Sequence, residues 1–421
     1  MKRKLLPIPL SILILSLALW ACAGFVPFDD APVQGDYGPA YSAQEHQTRT
    51  LDALWTRLQD NYIYRQSADV NWDGLLETYR ARIASGLSDE EFNALLHELE
   101  TDLPSGSLVY QSRPERIEAD STDTSTFEGI GAFIGFNAEP VPHIILLSVM
   151  EGSPAEAAGL KAHDSILGID GDPILLEEGM DAVNRVRGPA GSSVTLDVRT
   201  PGKLERSIEL QRAKLAGTGK LETKLIPGTS YGYLLFPPIT YDTMMDDVIK
   251  GLQTFTTNRK LEGLILDLRI AGSSRGWPLE ELFGLFHEGD IGEFYNNAGQ
   301  NQVVTVAGND RFNSQAVPLI VIVGKNTSGF PEILAASLQA EDRAIIVGAD
   351  TPGDVETTSS FYLPNGSRVF IQSASFRLPN GKEIGTSGVK PDVLHQAGWD
   401  EVVPQADPVL ESAIQALGGQ K

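Results

Sequence analysis

The chain has 421 residues, with 33 Lys and Arg against 56 Asp and Glu, for a formal charge of −23. Hydrophobic residues make up 42% and charged residues 21%, a globular composition with room for roughly two to four domains. So acidic a surface repels phosphate backbones and excludes general nucleic-acid binding.

The first segment stands apart from these totals. Lys2, Arg3 and Lys4 precede an apolar run from Leu5 to Ala21, broken only by Pro7, Pro9, Ser11 and Ser16. A positive start followed by an apolar stretch is the form of a secretory signal, and the two prolines argue against a spanning helix. The run ends Leu19-Trp20-Ala21-Cys22. It is similar to a bacterial lipoprotein signal, which implies residues 1–21 as leader, Cys22 as lipid anchor and a place in the cell envelope. Cys22 is also the only cysteine, so no intrachain disulfide can form. Residues 22–45, rich in Gly, Pro, Asp and Ala, read as a tether.

From His46 the pattern is helical. Leu51, Leu54, Trp55 and Leu58 share one face. A second helix is expected over Asp73–Ile83. Ser88 and Glu91 form a capping-box start for a third, with Phe92, Leu95, Leu96 and Leu99 aligned. This predicts a helical N-terminal domain over 46–111, its helices ending near Pro104, followed by a charged linker over 112–126.

Residues 127–213 carry Phe127-Glu128-Gly129-Ile130-Gly131-Ala132-Phe133, then Glu151-Gly152-Ser153-Pro154-Ala155, then Asp164-Ser165-Ile166-Leu167-Gly168-Ile169-Asp170-Gly171 and Arg187-Gly188-Pro189. The ordered set resembles a PDZ domain of the kind found in bacterial envelope proteases. Glycines at 129 and 131 free backbone N–H groups to cradle a terminal carboxylate. Gly129, Ile130, Gly131, Ala132 and Phe133 are thus the candidate peptide-binding residues. The strand Phe133–Phe136 would pair with an extended peptide, opposite a helix over Gly179–Val186.

From Gly217 the pattern turns α/β, over residues 217–396. Strands are expected at Tyr231–Leu235, Leu264–Leu268, Leu319–Val323 and Ala344–Val347, with helices at Thr243–Thr256 and Ile333–Ala340. Phe361–Leu363 and Val369–Ser373 frame the turn Pro364-Asn365-Gly366. Residues 397–421 are a tail with a short helix, Pro408–Leu417. The six histidines are scattered without metal-ligand spacing, so neither a metal nor a cofactor is expected.

Helical cap, PDZ and α/β domain in this order resemble the C-terminal processing (tail-specific) serine peptidases. The most specific segments are Gly263-Leu264-Ile265-Leu266-Asp267-Leu268-Arg269, the stretch 318–339, and Gly388-Val389-Lys390-Pro391-Asp392-Val393. The resemblance implies a multidomain α+β protein whose last domain is of the crotonase-like type. It also implies a Ser–Lys dyad, in which a desolvated lysine of lowered pKa serves as base for a hydroxyl nucleophile, with backbone N–H groups aimed at the oxyanion.

The matching positions depart from that chemistry. In Thr327-Ser328-Gly329-Phe330-Pro331-Glu332-Ile333, the family serine stands three residues before the glutamate, which is Gly329 here. The family lysine follows T-[FP]-G; after Thr351-Pro352-Gly353 comes Asp354. The family's later glutamine is Thr358, and a glycine pair of the oxyanion hole is replaced by Ser273-Ser274. Ser328 is the fallback nucleophile, although a helix N-cap role suits it as well; Asp354 could serve as base and Lys325 reads as a solvated loop residue. The leading expectation is a lipid-anchored, non-catalytic homologue that binds peptides or unfolded protein C-termini. The alternative is an active serine endopeptidase rewired through a residue such as Ser328. A regulatory partner of an active relative is a third reading. Oligomeric state is left open.

Overall fold

The computed structural model describes residues 42–121, 126–216, 219–257, 259–273, 276–385, 387–403 and 406–419. The leader, Cys22 and nearly all of the tether lie outside these residues. The described chain divides into two compact units: residues 42–117 with Thr358–Ser373, and residues 118–357 with 374–419.

In the first unit, α1 (Ala43–Asn61) starts inside the expected tether, because the Ser42 hydroxyl accepts the Glu45 N–H. Helices α2 (Trp72–Ala84) and α3 (Asp89–Asp102) follow. The Ser88–Glu91 capping box is formed in both directions. Leu51, Leu54, Trp55 and Leu58 pack on Tyr79 and Ile83 and on Phe92, Leu95, Leu96 and Leu99. The expected helical domain ends in a strand, β1 (Leu108–Gln111), and the expected linker contains a helix, α4 (Arg113–Ser121). Its start is a second capping signal: the Ser112 N–H donates to Glu115 at 2.7 Å, with Pro114 in the first turn. The unit is not helical alone. Residues Arg368–Ile371 pair antiparallel with β1, and Phe361, Leu363, Val369 and Ile371 complete its core.

The second unit opens with the PDZ elements: β2 (Thr126–Gly129), β3 (Ala132–Asn137), β4 (His143–Val149), α5 (Pro154–Ala157), β5 (Ser165–Ile169) and β6 (Asp172–Pro173). A 3₁₀ segment, Leu176–Asp181, runs into α6 (Ala182–Val186), followed by β7 (Ser193–Arg199), β8 (Arg206–Gln211) and β9 (Ala213–Ala216). The helix expected over Gly179–Val186 is therefore broken: Gly179 sits at φ +50°, ψ −133°, outside helical geometry. The sheet runs β3-β4-β5-β7-β8, which leaves β3 on an edge.

The rest is α/β. In chain order come β10 (Glu222–Leu225), β11 (Tyr231–Leu235), α7 (Met244–Thr256), β12 (Gly263–Asp267), α8 (Leu279–Phe286), β13 (Gly289–Asn296), β14 (Asn301–Val306) and β15 (Leu319–Val323). Then follow α9 (Phe330–Ala340), β16 (Ile345–Gly348), β17 (Thr357–Tyr362), β18 (Arg368–Arg377), β19 (Val393–Leu394) and α10 (Pro408–Gly419). The main sheet is ordered β10-β11-β12-β15-β16-β19, parallel from β11 to β19. Its central strands are buried on both faces. Leu264, Leu266, Leu319 and Val321 pack toward α7, α8 and α9, while Ile265, Ile320 and Ile322 pack on Val409, Ala413 and Leu417 of α10. The expected tail is thus part of the core.

Candidate functional site

The three segments that carry the resemblance meet at the start of α9. The loop after β15 is stapled to the loop after β12. Thr327 is fully buried; its hydroxyl donates to the Leu268 carbonyl at 2.8 Å and accepts the Gly324 N–H at 2.9 Å. The Ser328 N–H donates to the Ala271 carbonyl at 3.1 Å. Glu332, also fully buried, accepts from the Gly329 N–H at 3.1 Å, from the Gly353 N–H at 2.7 Å and from the Thr351 hydroxyl. Thr351 in turn accepts the Val389 N–H at 2.8 Å. One carboxylate therefore binds the 329 turn to the 351–353 loop, and through it to the 388–393 segment.

Gly329 is the N-cap of α9, at φ +70°, ψ −130°. Ser328 does not take the N-cap role: it lies one residue earlier, and Glu332 meets the Gly329 N–H instead. Ser328 is half-buried, and its hydroxyl oxygen is 3.4 Å from where a Cβ on Gly272 would stand. Asp354 and Lys325 are exposed. Burial pushes the Glu332 carboxyl above its ordinary value, against the hydrogen bonds from Thr351, Gly353 and Gly329, and the charge of Asp354 pushes it the same way. A cation at 354 would act in the opposite sense. Ser273 lies against the 329 turn, while Ser274 is outside the described residues.

The PDZ loop is arranged differently. The Ile130 and Gly131 carbonyls accept from Ala155 and Met150, each at 2.9 Å, and so face their own domain. The N–H groups of Ile130 and Gly131 find no partner among the described residues. Gly131 is at φ +82°, and a Cβ there would lie 2.3 Å from the Ser153 Cβ, so the loop requires glycine. Gly129 is buried, and the Ile130 side chain packs in the PDZ core. Ala132 and the half-buried Phe133 open the edge strand β3. Two arginines flank these elements. Arg212 holds the end of α6 by donating to the Val186 and Arg185 carbonyls at 2.8 and 2.9 Å. Arg187, exposed, has its Cα 4.0 Å from the Cβ position of Gly129.

The C-terminal segment clasps the PDZ to the α/β domain. Trp399 packs on His163 with ring centroids 4.1 Å apart and the planes tilted by 38°, and it donates to the Leu146 carbonyl at 3.1 Å. Asp400 accepts from His143 Nε2 at 2.9 Å and from the Ser165 hydroxyl at 3.2 Å, with Arg199 at 3.6 Å. Burial pushes the Asp400 carboxyl up, but the His143 contact, a backbone N–H and the Ser165 hydroxyl together outweigh it and hold it below the ordinary value. Beneath, Arg269 bridges Asp267 and Asp407, each at 2.6 Å. A cavity of about 590 Å³ lies between the two domains, lined by Phe133, Leu147 and Met150 on one side and Pro237, Pro238 and Ile270 on the other. None of these clasp contacts had a local sequence signal.

Comparison with known proteins agrees with this architecture. The model of peptidase family S41 matches residues 230–395, a PDZ-domain model matches 145–200, and the Tricorn protease C1 domain model matches 44–100. A carboxyl-terminal-processing protease of Picosynechococcus sp. is 30% identical, over 88% of this chain and 86% of that protein. One of Synechocystis sp. is 28% identical, over 90% of this chain and 89% of that protein. Among solved structures, the photosystem II D1 C-terminal processing protease superposes with a TM-score of 0.64, at 22% identity, over 88% of this chain and 97% of that one. A helical N-terminal region, a PDZ domain and an α/β domain of this type, together with that likeness, place the chain in the carboxyl-terminal-processing protease family, peptidase family S41.

Proposed function

We propose that this member of the family is a non-catalytic, lipid-anchored cell-envelope protein that binds peptides or unfolded protein C-termini through its PDZ groove. The observation that carries the reading is the pairing of Gly329 with Asp354. The buried Glu332 hydrogen bonds hold the 329 turn and the 351–353 loop in register, yet the positions matching the family nucleophile and base are Gly329 and Asp354. A glycine at 329 supplies no attacking group. The groove, by contrast, presents N–H groups without a partner among the described residues, beside an edge strand, and the exposed Arg187 adds a cation suited to a terminal carboxylate. Anchoring at Cys22 is supported by the leader sequence.

The test is a titration of the purified protein with peptides bearing free or amidated C-termini. Saturable binding that requires the free carboxylate is the expected result; no binding, or binding indifferent to amidation, would rule the groove out. The second reading, a serine endopeptidase using Ser328, draws on the position of that hydroxyl beside Gly272. Cleavage of an unfolded protein that disappears in Ser328→Ala would establish it.

A further inference from the structure

The glycine at 329 is matched by what lies against it. A Cβ placed there would stand 2.2 Å from the Ser273 Cβ and 2.6 Å from its Oγ. Real Cβ atoms do not approach so closely, so the Ser273 side chain already fills the space that a side chain at 329 would need. The Ser273 hydroxyl also accepts the Phe330 N–H at 3.1 Å. With the Gly329 N–H held by Glu332, the first two N–H groups of this helix start are both met within the chain.

We propose that Ser273 and Gly329 are an exchanged pair: the hydroxymethyl group of Ser273 occupies the side-chain position of residue 329 and closes the Phe330 N–H to any ligand oxygen. The proposal deepens the non-catalytic reading and rests on the register that places the family nucleophile at 329. It makes Ser273 a positioning residue that keeps the turn closed. The two residues are 56 positions apart in sequence, so neither substitution is intelligible without the other. Gly272 continues the same contact, with the Pro238 carbonyl 3.3 Å from its Cβ position.

Four full-length chains test this by their melting temperatures: the parent, Ser273→Gly, Gly329→Ala, and the two combined. Gly329→Ala should lower the melting temperature by roughly 5 °C in the parent, through collision added to left-handed strain. In the Ser273→Gly background the same change should cost half of that or less, since only the backbone strain remains. Equal losses in both backgrounds would overturn the exchange. If Gly329→Ala does not fold, amide hydrogen exchange decides: Ser273→Ala should speed exchange at Phe330 at least about tenfold, and unchanged exchange would contradict the contact. Reverting Gly329→Ser with Asp354→Lys, while Ser273 stays, should yield no cleavage of an unfolded protein; cleavage would overturn the proposal. The melting cycle reads packing alone, so it can fail while the non-catalytic reading stands. Cleavage by the parent chain would end that reading and leave the cycle intact.

Discussion

Two glycines of the second unit share a left-handed backbone and a serine neighbour, yet they leave their surroundings in opposite states. Gly131 lies at φ +82° with the Ser153 Cβ 2.3 Å from its Cβ position; Gly329 lies at φ +70° with the Ser273 Cβ at 2.2 Å. At 131 the serine serves its own helix: the Ser153 hydroxyl accepts the Glu156 N–H at 3.1 Å, and the loop N–H groups have no partner among the described residues. At 329 the serine crosses over to accept the Phe330 N–H, and Glu332 takes the other. A glycine turn at a helix start is therefore not in itself an anion site. What decides is which partner each N–H already has.

Glu332 carries the largest share of the closed turn. Glu332→Ala would orphan two backbone N–H groups and the Thr351 hydroxyl in a buried site, a loss of about 3–5 kcal/mol in urea unfolding. A loss below about 1 kcal/mol would mean the closed turn does not depend on that carboxylate. Gly131→Ala should follow, at about 2–4 kcal/mol with loss of peptide binding, because collision adds to left-handed strain. Gly152 is the control: it is at φ +74° with nothing within 4 Å of its Cβ position, so Gly152→Ala should show only the strain, about 1–2 kcal/mol.

The clasp gives the next effect. Asp400→Asn should cost about 1–3 kcal/mol, since the His143 and Ser165 contacts lose their charged acceptor. Its folded carboxyl is held below the ordinary value, so its stabilisation is present above the unfolded pKa of about 4 and is lost as pH falls through the folded value. The variant should therefore show a flatter acid limb in stability against pH. An unchanged limb would remove Asp400 from the account. The smallest change is Ser153→Ala. Loss of the α5 cap should cost about 1 kcal/mol and leave peptide affinity as it was, because the hydroxyl faces Glu156 and not the groove.

Much of this was readable in sequence wherever local grammar and contact coincide. The Ser88–Glu91 box and the apolar run Leu319–Val323 became a capped helix and a doubly buried strand with the expected ends. The same grammar at Ser112–Glu115 was masked by the charge around it and read as linker. Failures of another kind came from distance along the chain. Nothing near Phe361 or Val369 indicates that these residues close the core around Leu51 and Leu99. Glycines at 284, 289 and 292 obscured α8 and β13, because a mixed apolar run broken by glycine has no clear period. In the candidate site, Gly329 and Asp354 were legible as departures from a pattern, whereas the Ser273 contact that fills the gap needed coordinates.

Binding without cleavage is decided by following the anisotropy of a dye-labelled peptide with a free C-terminus through a long incubation with the full-length protein. The expected result is a saturable rise that then stays constant, because the captured peptide remains whole. A rise followed by decay to the value of a short fragment would show that the chain cuts what it binds and would contradict it.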